Sequence, residues 1–435
     1  MNAQTLNKHL FQFIAQSPTP FHAVNVMKNT LKDAGFKALN EKEDWQIKNG
    51  QPYYVIREDG ALVAFNLGRN NKGGFRMVGS HADSPCLQLK PKADIYEKNY
   101  HQLGVEVYGG ALLNPWFDRE LSIAGRVIYQ GEKDTVHSRL IDFKRPVAVI
   151  PSVAIHLDRN ANTEKNINSQ KDIVPLVGLS GDSKESFTDI LKNQIIADDS
   201  SVTVNDILSF DLYCYDFHKP CYTGFSQDFI LSSRLDNLLS CFLLTSAVAQ
   251  ANMDISYMFI CNNHEEVGSS TASGARGNLL SATFDRIFPD PSDRHRTLAN
   301  SFLLSVDNAH AIHPNFPEKH EPSHDIALNR GPVLKINATH KYASTGVANG
   351  LFKMLCAEKE IPVQEFVMRN DMACGSTIGP LTAAKLGVQT VDIGAASLAM
   401  HSIREMTGSR DPWLLFTVLQ HFLQRENLPG VFHSD

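Results

Sequence analysis

Seven cysteines in 435 residues, with no CxxC pair among them, leave little scope for a disulfide framework or a thiolate zinc site. Scattered as Cys86, Cys214, Cys221, Cys241, Cys261, Cys356 and Cys374, they read as reduced, mostly buried thiols. Excess positive charge is missing too: 41 Lys and Arg against 47 Asp and Glu leave a net charge of -6, which argues against a nucleic-acid-binding surface. No apolar run is long enough to span a bilayer, and the stretch MNAQTLNKHLFQFIAQSPTPFHAV lacks a basic start followed by a long apolar core. A cytoplasmic protein with no membrane partner is therefore expected. There is no internal repeat, no low-complexity tract and no HExxH motif. What is present, 43% hydrophobic and 20% charged residues, is ordinary for a globular protein, and the length suggests two or three domains.

The stretch Tyr257 to Ser270, YMFICNNHEEVGSS, organises the rest. Its apolar, β-branched start reads as a short buried strand, and it stops at Asn262, Asn263, His264, Glu265 and Glu266. Two adjacent carboxylates are thereby delivered to a strand's C-terminal end, the rim where open α/β sheets bind ligands. Neighbouring carboxylates repel, and a cation relieves them. One can ligate a metal while the other moves a proton, the division of labour of metal-assisted hydrolysis.

Other segments repeat this pattern. Residues 4 to 36 read as two helices broken at Ser17-Pro18-Thr19-Pro20, with His22 a capping or packing residue. Strands follow at Tyr53 to Ile56 and Ala61 to Asn66, and Phe75 to Gly79 runs into Ser80-His81-Ala82-Asp83. From about Leu87 to Gln227 alternating segments (Val105 to Tyr108, Leu121 to Tyr129, Val147 to Ile150) read as an antiparallel, β-rich unit. Within it the polar stretch Asp158 to Asp172 has no periodicity and suits a binding loop or a disordered one. Asp228 to Ala251 reads as a helix with Asp236 bracketed by Leu235 and Leu238, and Phe302 to Val306 ends in Asp307-Asn308-Ala309-His310. Val388 to Ile393 precedes Gly394 and His401. The expected fold is α/β, a mixed sheet covered by helices on both faces, with an inserted β-rich second domain. The expected boundaries are 1–86 and 228–435 for the first domain and 87–227 for the insertion.

Collected, His81, Asp236, Glu266, Asp307 and His401 form a candidate ligand set of two imidazoles and three carboxylates. Such a set suits zinc, manganese or cobalt. The count fits two metals better than one, with a bridging carboxylate giving each ion three protein ligands. Asp83, two residues after His81, is placed to accept from that histidine's other ring nitrogen.

The motifs SHADSP, RLDN, NHEEVGSS, SVDNAHA, CGSTIGP and AMHSIREM, in this order, closely resemble the aspartyl aminopeptidase family of paired-metal exopeptidases. The resemblance runs from SPTPFHAV to the C-terminal helix. It implies two divalent ions, zinc first, with His81 and Asp307 on one, Glu266 and His401 on the other, and Asp236 bridging. It also implies Glu265 as the general base, which takes a proton from a metal-shared water and passes it to the leaving amine. Substrates with N-terminal Asp or Glu, contacted by His310, Lys335 and Tyr342, follow from the same resemblance. So does a homo-oligomer, typically a dodecamer built from dimers, in which His156 of AIHL reaches a neighbouring subunit's site. Without the family Lys335 reads as an exposed lysine on an edge strand. Ser376 and Thr377, at the start of an expected helix, could also face an anion. One departure is Ala373, where the family pattern leads us to expect proline, so fine specificity is open. Two other functions stay in view: a related paired-metal deacylase or carboxypeptidase, which would cleave blocked N-termini, and a catalytically silent scaffold, which has no need of Glu265.

Overall fold

Strands buried on both faces must be apolar at nearly every position, and successive side chains then fill different cores. Tyr257–Asn262 behaves in this way: Tyr257, Phe259 and Cys261 enter one apolar cluster while Met258 and Ile260 enter another. Leu62 and Ala64 of Ala61–Asn66 likewise face opposite to Val63 and Phe65. The first cluster is closed by helices Ala3–Ala15, Pro20–Asp33, Leu235–Val248, Gly346–Ala357 and Asp411–Gln424, and the second by Leu279–Ile287 and Leu298 of Pro291–Ala299. The result is a mixed sheet with helices on both faces. The computed structural model describes residues 2–69, 73–132, 135–164, 166–180 and 185–427.

In space the strands of this sheet run Lys37–Leu39, Pro52–Arg57, Ala61–Asn66, Tyr257–Asn262, Arg76–His81, Phe302–Val306, Gln389–Gly394, Val333–Ile336 and Gln364–Val367. The central four, Tyr257–Asn262 to Gln389–Gly394, are mutually parallel, so their C-terminal ends share one rim. Register aligns Asn262 with His81 and Ser305 with both Gly79 and Asp392. A five-stranded sheet, Cys221–Thr223, Phe229–Ser232, Glu405–Gly408, Ala396–Leu398 and Ala309–His310, completes this unit.

By contact density the chain divides into two units, Met1–Asp83 with Pro220–Met400 and Glu405–Asp435, and Ser84–Lys219 with His401–Arg404. The second unit is built on a six-stranded antiparallel sheet whose inner face packs on helix Phe187–Asp198 through Phe187, Leu191 and Ile195. That helix starts with a capping box between Ser186 and Asp189.

Several local expectations need correction. The segment expected as one helix from Asp228 begins as strand Phe229–Ser232, and the helix starts only at Leu235, because Leu231 pairs with Met406 instead of joining the helical stripe. Val147 to Ile150 forms only isolated bridges, Ala148 with Leu121 and Val149 with Leu176. The break expected at residues 17–20 is present and needs no correction: the Thr19 side chain caps the second helix by accepting from the His22 amide, and Pro20 opens it. Asp158 to Asp172, residue 165 lying outside the described residues, is turns and irregular chain. All seven cysteines are reduced thiols, four of them buried, as expected. Among the described residues no helix is long and apolar enough to cross a membrane.

Candidate metal centre

His81 is the last residue of the central strand Arg76–His81 and is buried. Asp307 follows Val306 at the same rim, its amide donating to the Ile393 carbonyl at 2.8 Å. Asp236 opens its helix with non-helical backbone, φ -83 and ψ 106, which turns it out of the helical stripe that Leu235 and Leu238 bury. Glu265 and Glu266 lie in the short 3-10 turn Glu265–Val267, entered through His264 at φ 59. Each of these side chains is thus set by the end of a strand or helix and not by a long loop.

His81 Nε2 lies 3.5 Å from Asp236 Oδ1 and 3.5 Å from Asp307 Oδ1. Ligand atoms of His81, Asp236 and Asp307 fall within 4.8 Å of one another, and so do those of His81, Glu265 and Glu266. The other ring nitrogen, Nδ1, is 3.0 Å from the Asp83 carbonyl and 3.4 Å from Asp83 Oδ1. The Asp83 carboxylate also accepts from the amides of Glu265 and Glu266, each at 3.1 Å. One buried residue, Asp83, therefore holds the imidazole, chiefly through its carbonyl, and the acidic turn, through its carboxylate.

Burial, reinforced by Asp307, Asp83 and Asp236 and opposed by His81, pushes the Glu265 carboxyl up to about 7. Burial and the Asp236 charge hold Glu266 well above the carboxylate range. Burial pulls the His81 imidazole down, but contacts to Asp236, Asp307 and Asp83 outweigh it and leave it well above its ordinary value. Asp307 is also desolvated, yet Lys335 and His81 keep it low. Asp307 Oδ1 is buried and satisfied by no hydrogen bond. Five carboxylates around one imidazole, all oxygen and nitrogen donors without a thiolate, fit a divalent cation such as zinc. Gly394 makes the close approach possible, since a Cβ there would overlap the Asp307 carbonyl.

Lys335 differs from its sequence expectation. It is buried, on strand Val333–Ile336 between two neighbours, and not exposed at an edge. Its Nζ donates to Asp307 Oδ2 at 3.1 Å and to the Asp307 and Asn308 carbonyls at 3.1 and 2.8 Å. It stands 5.2 Å from the centre of the buried Tyr342 ring. His310 is half-buried on Ala309–His310, edge-on to Phe366, and lines a cavity of ≈ 230 Å³ with His313, His320 and Arg369. His156 is exposed in the second unit. His401, at φ 66, lies in the short segment that groups with the second unit, its Nδ1 3.2 Å from the Gly110 carbonyl.

Sequence reasoning missed two groups. The buried Glu405 accepts the Asp236 amide at 2.9 Å, and the buried thiol of Cys241 donates to the His81 carbonyl at 3.0 Å. Cys241 lies on the apolar helix that carries Asp236, so it reads as core. Glu405 is 169 residues from its partner, and nothing local announces the contact.

A family model described as "Aminopeptidase I zinc metalloprotease (M18)" matches residues 13–423. The chain is 46% identical over 427 residues to a probable M18 family aminopeptidase 2 of Pseudomonas syringae pv. syringae (strain B728a), covering 98% of this chain and 99% of that one. Among solved structures, a chain of the cryo-EM structure of the Ape4 and Nbr1 complex superposes with a TM-score of 0.93 at 36% identity, over 97% of this chain and 86% of that one. A chain of the S. cerevisiae mApe1 dodecamer gives a TM-score of 0.80 at 30% identity, over 95% of both.

Proposed function

Because the chain belongs to the M18 family of zinc aminopeptidases, we propose that it releases N-terminal residues from peptides, preferring Asp and Glu, with two divalent ions and Glu265 as the general base. The observation that carries this reading is the pairing of Glu265, lifted to about 7 by burial, with a rim cluster of His81, Asp236, Glu266 and Asp307. A base must hold its proton loosely near the working pH, and about 7 meets that requirement.

His81 and Asp307 would hold one ion, Glu266 and His401 the other, with Asp236 shared. When bound, such ions supply Lewis acidity and make water nucleophilic at neutral pH. Glu265 takes the proton of the attacking water and returns it to the leaving amine. Asp83 keeps that carboxylate aimed by holding the amides of residues 265 and 266. Lys335 spends its donors on Asp307 and two carbonyls, so it favours an acidic substrate side chain through its charge, or by exchanging one acceptor. Tyr342 and His310 form the neighbouring wall. The second unit serves assembly into a homo-oligomer, with a dodecamer as the expected form, in which His156 serves a neighbouring site in the cytoplasm.

The test is hydrolysis of matched aspartyl, glutamyl, leucyl and N-blocked aspartyl substrates by metal-stripped protein reloaded with zinc, manganese or cobalt. Cleavage of free acidic N-termini ahead of leucyl ones, with none of the blocked substrate, is the expected result. Cleavage of the blocked substrate alone would replace this reading with a deacylase.

A further inference from the structure

The side chain of Asp392 is fully buried on strand Gln389–Gly394, and the metal cluster does not use it. Its Oδ1 accepts from the Thr377 hydroxyl at 2.7 Å, and its Oδ2 accepts from the Ala343 amide at 2.5 Å. Its own amide donates to the Ser344 hydroxyl at 3.0 Å. Thr377 is the N-cap residue of helix Ile378–Leu386, yet its hydroxyl makes no capping bond, because it is turned to Asp392 instead. Gly379 in the first turn is required for the same approach, since a Cβ there would run into the Asp392 carboxylate. Of the Ser376–Thr377 turn, it is the Thr377 hydroxyl that faces an anion, and that anion is the protein's own Asp392. Ser376 adds a second tie, its hydroxyl donating to the Lys341 carbonyl at 3.1 Å.

These bonds join the strand, the helix start and the loop 341–344, and the loop carries Tyr342 under the Lys335 ammonium. A buried carboxylate costs several kcal/mol of lost hydration, so fold stability alone is a poor reason to keep one. Fixing a loop whose neighbour must sit within a fraction of an ångström is a better one. We propose that Asp392 is a positioning residue for substrate selection: it sets the height of the Tyr342 ring against the Lys335 charge, which Asp307 and two carbonyls hold in place. The proposal rests on the acidic-substrate reading above.

The experiment compares Thr377→Val, Thr377→Ser, Gly379→Ala and Asp392→Asn with the parent enzyme, zinc-loaded, on aspartyl and leucyl substrates, with zinc content and melting recorded. Thr377→Val removes the hydroxyl at constant shape, and Thr377→Ser restores it. Asp392→Asn keeps an oxygen for Thr377 but can turn an N–H₂ toward the Ala343 amide. The aspartyl-to-leucyl ratio of kcat/KM should fall about tenfold in Thr377→Val, Gly379→Ala and Asp392→Asn, mainly through KM for the aspartyl substrate. Thr377→Ser should keep the ratio, and zinc content should be unchanged throughout. If the parent prefers acidic substrates and Thr377→Val keeps the ratio, the positioning role is overturned, whatever the fate of a poorly folding Asp392 variant. A parent without acidic preference overturns the specificity reading itself, and the proposal with it.

Discussion

A carboxyl buried beside Asp307, Asp83 and Asp236 gives up its proton late, and Glu265, lifted to about 7, is in that position. Only the ionised form can accept a proton, so kcat/KM should fall as pH drops through a limb at or below about 7, a bound cation drawing it lower. A limb above pH 8 in the parent would contradict the assignment. Glu265→Gln should keep its zinc and lose about 10²–10⁴-fold in kcat; near-parental turnover would remove it as the base. The same cluster sets a stability sign. Glu265, Glu266 and His81 all bind protons more tightly in the fold than in the open chain. The Glu265 contribution to the metal-free protein is thus full at low pH and is lost as pH rises through about 7, and those of Glu266 and His81 have the same sign and are lost as pH rises through their own raised values. Zinc needs those protons gone, so the melting-temperature gain on adding zinc should be larger at pH 8 than at pH 5.5. A larger gain at pH 5.5 would show that other groups dominate.

Strands that end in residues of the rim cluster were legible because a strand buried on both faces is a continuous apolar run, and a polar break after it stands out, as after Ile260 and Val306. Asp236 was legible for a related reason, a charge between two core leucines. The misses have one physical cause: pairing with residues far away in sequence decided them. Phe229–Ser232 pairs with Glu405–Gly408, which overrode a helical stripe, and Lys335 is buried because Asp307 and two carbonyls compensate its charge. Glycine spacing carries the same kind of hidden information. Gly394 ends the strand Gln389–Gly394 against the Asp307 backbone, and no local pattern indicates why it must lack a side chain. Gly394→Ala should cost about 1–3 kcal/mol through overpacking and displace Asp307. Weaker zinc retention together with a lower melting temperature is the expected pair of results. Unchanged zinc affinity would mean that the strand shifts without moving the carboxylate.

At the scale of the whole molecule the question is whether one chain suffices. The segment around His156 exposes Val153, Ile155 and Leu157 at 62%, 45% and 82%, alternate apolar residues on a surface that solvent would not favour. Such exposure is explained by a second copy of the chain covering this segment, which fits the proposed homo-oligomer. Leu157→Asp should then reduce the mass of the assembly and lower activity together; full activity in a smaller species would separate the two. His156→Ala poses the sharper test. If His156 works in its own chain's site, mixing inactive His156→Ala and Glu265→Gln chains after dissociation and reassembly restores nothing, since every site lacks one group. If it works in a neighbour's site, some sites in the mixed assembly draw an intact Glu265 from one chain and an intact His156 from the other. Activity should therefore reappear on mixing, in proportion to the fraction of such pairs. With equal amounts of the two chains randomly assorted, about a quarter of the sites would be complete. Recovery near that level would establish that the site is completed across the interface, and no recovery, in assemblies shown by mass to be mixed, would confine His156 to its own chain.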